Sequence, residues 1–256
     1  MQREEDLLWV TLEDPDHANA LSPVMVSEIT DVYAHDLRAE GVRAVLLRGS
    51  GRHFSAGADL GHLRSLRDAE RGEQVKDSQR LKSLFESVLR QEALTVALVQ
   101  GACVAGGCGL ATANDFVIAA TDSRFMYSEV RIGFVAALVA TYLPLRMRGA
   151  DIRELLLNPD FVSAERAHSV GLVNRVVDEE DLEKTGRALA HEVLSRASSE
   201  SIARTKRLLL RIVGRPLEEA FEIAAEANAD ARQTEDCRRG IETFLESKKT
   251  PDWRGG

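Results

Sequence analysis

Apolar residues fall along this chain in two alternating rhythms, short unbroken runs and helical repeats, as far as about residue 180. Leu7 to Leu12 is an apolar run that ends at the turn-forming Asp14-Pro15-Asp16, and it predicts a strand leaving into a loop. Ser22-Pro23 then opens a helix, because serine accepts from a free first-turn amide and a first-turn proline forfeits no helical hydrogen bond. Met25, Ile29 and Val32 follow at helical spacing. Val42 to Arg48, Val96 to Gln100 and Phe116 to Ala120 are further runs of branched and small apolar residues, and they predict buried strands. Between Gln74 and Glu92, Leu81, Leu84, Phe85, Val88 and Leu89 recur on one helical face. Ser163 to Val170 reads as a short helix stopped by Gly171, and Leu172 to Val177 as the next strand. The alternation implies an α/β core.

After Asp181 the rhythm becomes wholly helical. Leu182, Leu189 and Val193, then Ile202, Leu209 and Ile212, then Leu217, Phe221 and Ala224, then Ile241, Phe244 and Leu245 mark four successive helices. The chain therefore divides into a core over 1–180 and a helical segment over 181–256. Such a segment either covers the core or docks on another subunit, and the pattern does not separate the two.

Composition narrows the class. The 256 residues are 44% hydrophobic and 29% charged, as in an ordinary globular protein. No stretch approaches the roughly 18 consecutive apolar residues of a membrane span, and Met1-Gln2-Arg3-Glu4-Glu5-Asp6 lacks the basic-then-apolar order of a secretory signal. Cys103, Cys108 and Cys237 are too few and of odd number for a disulfide framework, which argues for reduced surroundings. No membrane partner is expected, and a cytoplasmic setting is. The cysteines have no second Cys/His pair nearby, so no metal site is expected and they read as packing residues. A net charge of −8 without a dense basic stripe argues against nucleic acid as a partner. Any anionic ligand has to be held by local cations and backbone amides.

Two segments carry the chemical signal, Arg52-His53-Phe54-Ser55-Ala56-Gly57-Ala58-Asp59-Leu60 and Gly101-Ala102-Cys103-Val104-Ala105-Gly106-Gly107-Cys108-Gly109-Leu110. Each follows a predicted strand, and the small residues leave backbone amides uncovered for a ligand to approach. If a helix begins near Gly106, the Gly106 N–H has no partner within it and sits at the positive end of its dipole. A second amide from the other loop would complete a two-donor clamp for a developing oxyanion. Taken alone, either run reads first as a tight strand-to-helix turn.

Taken together, these segments resemble the crotonase, or enoyl-CoA hydratase/isomerase, family. The matching pieces come in order: Ser-Ala-Gly-Ala-Asp-Leu at 55–60, the glycine-rich run at 101–110, Ala-Asn-Asp-Phe at 113–116, Tyr-Ser-Glu-Val-Arg-Ile-Gly at 127–133 and Gly-Leu-Val-Asn-Arg-Val-Val at 171–177. The resemblance implies a spiral of β-β-α repeats and a C-terminal helical region that mediates trimers, often paired into hexamers. It implies an acyl-CoA thioester substrate, with coenzyme A belonging to the substrate and no separate cofactor. The amides of Ala58 and Gly106 would bind the thioester oxygen. Ala56 and Leu60 would lie along coenzyme A with Gly107 at the substrate, Asp59 would brace the first loop, and Lys248, followed by Lys249, would stand near the nucleotide phosphates.

Family hydratases commonly use two glutamates, one three residues after the second oxyanion amide and one about twenty residues further on. Glu129 matches the second, whereas the first falls at Gly109, which has no side chain. Tyr127, Val130, Ile132 and Phe134 around Glu129 suggest burial and a raised pKa. The expected activity is addition of water to, or its removal from, a 2-enoyl-CoA with Glu129 as the single acid/base, as in methylglutaconyl-CoA-type hydratases with the same segment. A Δ3,Δ2-enoyl-CoA isomerase is the alternative, since one carboxylate suffices to move a double bond. A non-catalytic acyl-CoA- or RNA-binding relative stands behind both. A dienoyl isomerase would carry an acid at 137, where this chain has Ala137. His53 and His62 flank the first loop and, like Asp68 and Glu70, read as solvated positions.

Overall fold

The unbroken apolar runs become neighbouring strands of one sheet, buried on both faces. A computed structural model describes residues 1–253. In chain order the elements are β1 (Gln2–Glu4), β2 (Leu7–Leu12), α1 (Pro23–Ala34), β3 (Ala44–Gly49), α2 (Leu60–Leu66), α3 (Arg71–Arg90), β4 (Leu94–Val99), β5 (Ala102–Val104), α4 (Gly106–Thr112), β6 (Phe116–Ala120), β7 (Arg124–Met126), α5 (Ala137–Ala140), α6 (Gly149–Leu157), β8 (Val162–Ser163), α7 (Ala164–Ser169), β9 (Arg175–Val177), α8 (Leu182–Arg196), α9 (Ser199–Ile212), α10 (Leu217–Arg232) and α11 (Glu235–Ser247).

The larger sheet runs β1-β2-β3-β4-β6-β9, antiparallel at β1/β2 and parallel elsewhere. Val10, Leu47, Ala97 and Val117 are in register across four strands and face the main core, packed with α1, α3 and α4. The alternate positions Trp9, Leu46 and Val96 face a second cluster closed by Leu182, Leu189, Ala190 and Leu194 of α8. Burial on both faces is why these strands read as continuous hydrophobic runs. A Cβ on Gly186 of α8 would come within 2.6 Å of Leu98 Cδ2, so the glycine sets how closely that helix lies on the sheet.

At Gly101, where φ is +57°, the chain leaves β4 and enters β5 of a second, three-stranded sheet ordered β5-β7-β8. It makes the same passage from β6 to β7. Strand, strand in the other sheet, then helix is the β-β-α step of the expected spiral.

The helical segment divides by what it covers. Although it lies beyond residue 180, α8 packs on the core, and α9 is pinned to the sheet where Lys206 Nζ donates to Asp115 Oδ2 at 2.6 Å and to the Ala93 carbonyl at 2.7 Å. α10 and α11 hold no buried residue and leave Phe221, Ile241, Phe244 and Leu245 exposed. No helix among the described residues is long and apolar enough to cross a membrane.

Most boundaries move by one to three residues from the sequence expectation. The clearest difference is β9, which begins at Arg175, after Leu172 and Val173. Both of those residues are buried, yet their N–H groups donate to the Ala167 carbonyl at 2.9 and 3.2 Å, closing the end of α7 before the strand starts. Cys103 and Cys108 are buried as packing residues, and Cys108 Sγ donates to the Cys103 carbonyl at 2.9 Å.

Candidate active site

The two small-residue loops leave β3 and β5 and meet. Val104 N–H donates to the Ser55 carbonyl at 2.9 Å, and an isolated bridge pairs Ser55 with Cys103. Gly57, at φ +84°, is pressed so close that a Cβ there would sit 2.6 Å from the Val104 carbonyl oxygen and 3.2 Å from Gly106 N. No other residue fits that contact without moving the loops apart.

On the first loop, Leu21 N–H donates to the Gly57 carbonyl at 2.7 Å, in a parallel bridge between Leu21 and Ala58. That pattern engages the neighbours of Ala58 and leaves its own N–H turned away. On the second, Ala105 takes φ +47°, ψ −118°, a conformation that an alanine adopts only at a cost of about 1–3 kcal/mol. The reversal lets Ala105 N–H bond the Met126 carbonyl at 2.7 Å while its carbonyl accepts from Gly109, and it turns Gly106 N–H outward at the first position of α4. Among the described residues neither the Ala58 nor the Gly106 N–H has an acceptor within the chain. A Cβ on Gly106 would lie 3.9 Å from Ala58 N, so the two free donors border one small space.

Asp59 Oδ1 caps α2, accepting from Gly61 N at 2.7 Å and His62 N at 3.1 Å, and so fixes the chain directly after Ala58. Ala56 and Leu60 are exposed beside it. Gly107, expected at the substrate, has its Cα turned into the protein, where a Cβ would meet Ser55 Cβ at 2.8 Å. His53 Nδ1 accepts from Ala102 N–H at 3.1 Å, and His62 Nε2 pairs with Asp77 at 2.7 Å, so both histidines are tied down and neither is simply solvated. Lys248 caps the exposed end of α11, with its ammonium 5.8 Å from the Phe244 ring, and no contact among the described residues connects it to either loop.

Asn19 had no signal in the apolar pattern, although it organises the first loop. Fully buried at φ +52°, it donates to the Ser50 and His53 carbonyls at 2.9 and 2.8 Å and accepts from Asp14 N–H. Its own carbonyl takes the Ser55 hydroxyl at 2.8 Å. An asparagine two residues before a helix-opening Leu-Ser-Pro is the one hint the sequence offers, since asparagine tolerates the left-handed conformation.

Glu129 stands at the start of a short 3-10 turn over Glu129–Ile132. Its Oε2 is buried without a hydrogen-bond partner, and burial pushes its carboxyl above the ordinary carboxylate range, partly opposed by a backbone hydrogen bond. The burial has a different source from the one its neighbours suggested: Val130, Ile132 and Phe134 point to solvent, and only Tyr127 is buried. The charge of Glu129 is felt by the buried Tyr142, whose hydroxyl donates to the Gly109 carbonyl at 2.9 Å. At Gly109 there is no vacancy: a Cβ would meet Val139 Cγ1 at 2.7 Å and Phe85 Cζ at 2.8 Å.

Two converging free amides and one part-buried carboxylate with an unpartnered oxygen suit stabilisation of an enolate with transfer of a proton. The comparisons agree with that class. The enoyl-CoA hydratase/isomerase family model matches residues 2–256. A Thermus thermophilus protein that carries a provisional enoyl-CoA hydratase name is 42% identical over 93% of this chain and 94% of its own length. A crotonyl-CoA hydratase of Syntrophomonas wolfei is 30% identical over 97% and 95%. The crystal structure of a Mycobacterium smegmatis enoyl-CoA hydratase superposes with a TM-score of 0.90 at 29% identity, covering 99% of this chain and 97% of that one. The chain belongs to the enoyl-CoA hydratase/isomerase family.

The raised pKa of Glu129 has a consequence for stability. Its folded value exceeds its unfolded one, so ionisation removes stability as pH rises through the raised value and removes none in acid. Glu129→Gln is therefore expected to melt at a higher temperature than the parent at about pH 8, with the gap closing towards about pH 4, as followed by calorimetry.

Proposed function

We propose that the protein adds water to, or removes it from, a 2-enoyl-CoA, using Glu129 as its single acid/base and the Ala58 and Gly106 amides as its oxyanion hole. The buried, unpartnered Oε2 of Glu129 carries this reading, because an unpaired carboxylate oxygen costs stability that a purely structural residue would not retain. In the hydration direction ionised Glu129 takes a proton from water as the oxygen attacks C3. Negative charge passes to the thioester oxygen between the two amides, and the enolate collapses as Glu129 returns the proton to C2. A carboxyl with a raised pKa serves both halves, being basic enough to accept the proton and acidic enough to give it back.

Gly109 supports a second reading. Phe85 and Val139 fill the place of a second carboxylate with apolar atoms, which favours a reaction that needs no activated water. A Δ3,Δ2-enoyl-CoA isomerase meets that condition: Glu129 removes a proton from C2 and returns it to C4.

Coenzyme A would run along Ala56 and Leu60, both exposed next to the Ala58 amide, with Asp59 holding the loop. It is part of the substrate, and no separate cofactor is invoked. Lys248 takes part only if another copy of the chain brings it close. We further assign α10 and α11 to a trimer or hexamer contact, because their apolar side chains have no cover within the chain. A cytoplasmic setting, consistent with three free cysteines, completes the proposal.

Loss of conjugated-enoyl absorbance from crotonyl-CoA, and its appearance from a 3-enoyl-CoA, separates the two activities. Hydration that falls by about 10²- to 10⁴-fold in Glu129→Gln is the expected result. Conjugation without hydration identifies the isomerase instead, and undiminished turnover in Glu129→Gln removes Glu129 from either reaction. In light scattering the expected mass is three or six times that of the chain, and a stable monomer contradicts the contact assigned to α10 and α11.

A further inference from the structure

In this chain the position of the absent glutamate is occupied by two side chains from elements far apart in sequence. Phe85 comes from α3 and Val139 from α5, and their atoms lie 2.8 and 2.7 Å from where a Gly109 Cβ would be. Both are buried. Gly109 lies three residues after Gly106 on α4, and the space a side chain there would need is taken by the edge of the Phe85 ring and by Val139.

Phe85 packs edge-on against Tyr142, with centroids 5.9 Å apart and an interplanar angle of 62°. The Tyr142 hydroxyl is tethered to the Gly109 carbonyl at 2.9 Å. Phe85 and Tyr142 also line a solvent-open cavity of about 230 Å³, together with Leu89, Leu138 and Leu210 and the polar Lys82, Glu86, Arg90 and Thr141. The two rings are therefore a common wall, touching Gly109 on one side and bordering the cavity on the other. Glu86 pairs with Lys82 at 3.2 Å and with Arg90 at 3.1 Å along the solvent-open side of this space, and Leu89, Leu138 and Leu210 give it an apolar side.

We propose that Phe85 is the residue that sets acyl-chain length, closing the acyl site at Gly109 and keeping the chain's tail out of the cavity behind it. The substrate class is then a short-chain enoyl-CoA. The closure is firm because of where the ring is held. Phe85 sits on the buried face of α3 between Leu84 and Val88, and moving it means breaking its contacts with both Val139 and Tyr142. Shortening this side chain joins the two spaces and admits a medium-length tail alongside Leu89, Leu138 and Leu210. This inference rests on the acyl-CoA reading above.

The test compares kcat/KM for 2-decenoyl-CoA with that for crotonyl-CoA in the parent, in Phe85→Leu and in Phe85→Ala, each checked for a cooperative melt. The parent is expected to favour crotonyl-CoA. The decenoyl-to-crotonyl ratio is expected to rise by about tenfold or more in the variants, the usual scale for opening an apolar pocket. Phe85→Leu keeps most of the packing and carries the comparison if Phe85→Ala does not fold. A parent that turns over both substrates equally, or a ratio that stays within about twofold in the folded variants, overturns the assignment. If no enoyl-CoA is turned over by any form, the acyl-CoA reaction is at fault. Calorimetric binding of butanoyl-CoA and decanoyl-CoA then reads the same ratio without catalysis, and equal affinities in the parent overturn the role given to Phe85.

Discussion

Val104 donates its N–H to the Ser55 carbonyl, and through that bond the ends of two strands, one in each sheet, become a single site. The contact tolerates almost no bulk between the loops, as the fit of Gly57 against the Val104 carbonyl demonstrates. What it achieves is an alignment of two amides that neither loop could provide alone. Ala105 holds an unfavourable backbone conformation to turn Gly106 outward, Asn19 grips the first loop from beneath, and Asp59 anchors the chain where it departs into α2. Preorganisation of this kind is what makes backbone donors effective, since they need no rearrangement when charge develops.

The rest of the site is a balance between this polar clamp and apolar walls. Glu129 keeps a buried oxygen without a partner, and the nearby position 109 is surrendered to Phe85 and Val139. Together these leave Glu129 without a second carboxylate at position 109, its pKa raised by burial. A lone carboxylate that must both take and give a proton works best when neither of its forms is strongly preferred, and removing it from water moves it in that direction.

Much of this is legible in the sequence alone. The doubly buried strands announce themselves as Val-, Leu- and Ala-rich runs, and the ordered motifs from Ser55 to Val177 identify the family. Legibility failed where contacts between distant residues decide the outcome. Nothing near Gly109 in sequence reveals that Phe85, on another helix, occupies its side-chain space. The apolar neighbours of Glu129 suggested burial for the wrong reason, because a 3-10 turn directs Val130 and Ile132 outward. Leu172 and Val173 read as strand, but their amides are spent on closing α7. The short strands β5, β7 and β8 lie below the length at which alternation becomes a signal.

The proposed reaction turns on Glu129 exchanging a proton with the carbon next to a thioester whose oxygen lies between the Ala58 and Gly106 amides. Its most direct test is proton exchange at C2 of a saturated analogue, butanoyl-CoA, in deuterated water, followed by NMR, because that step involves neither water addition nor movement of a double bond. Enzyme-dependent exchange in the parent and a fall of about 10²-fold or more in Glu129→Gln are expected. Exchange at the same rate in both proteins would contradict the role given to Glu129.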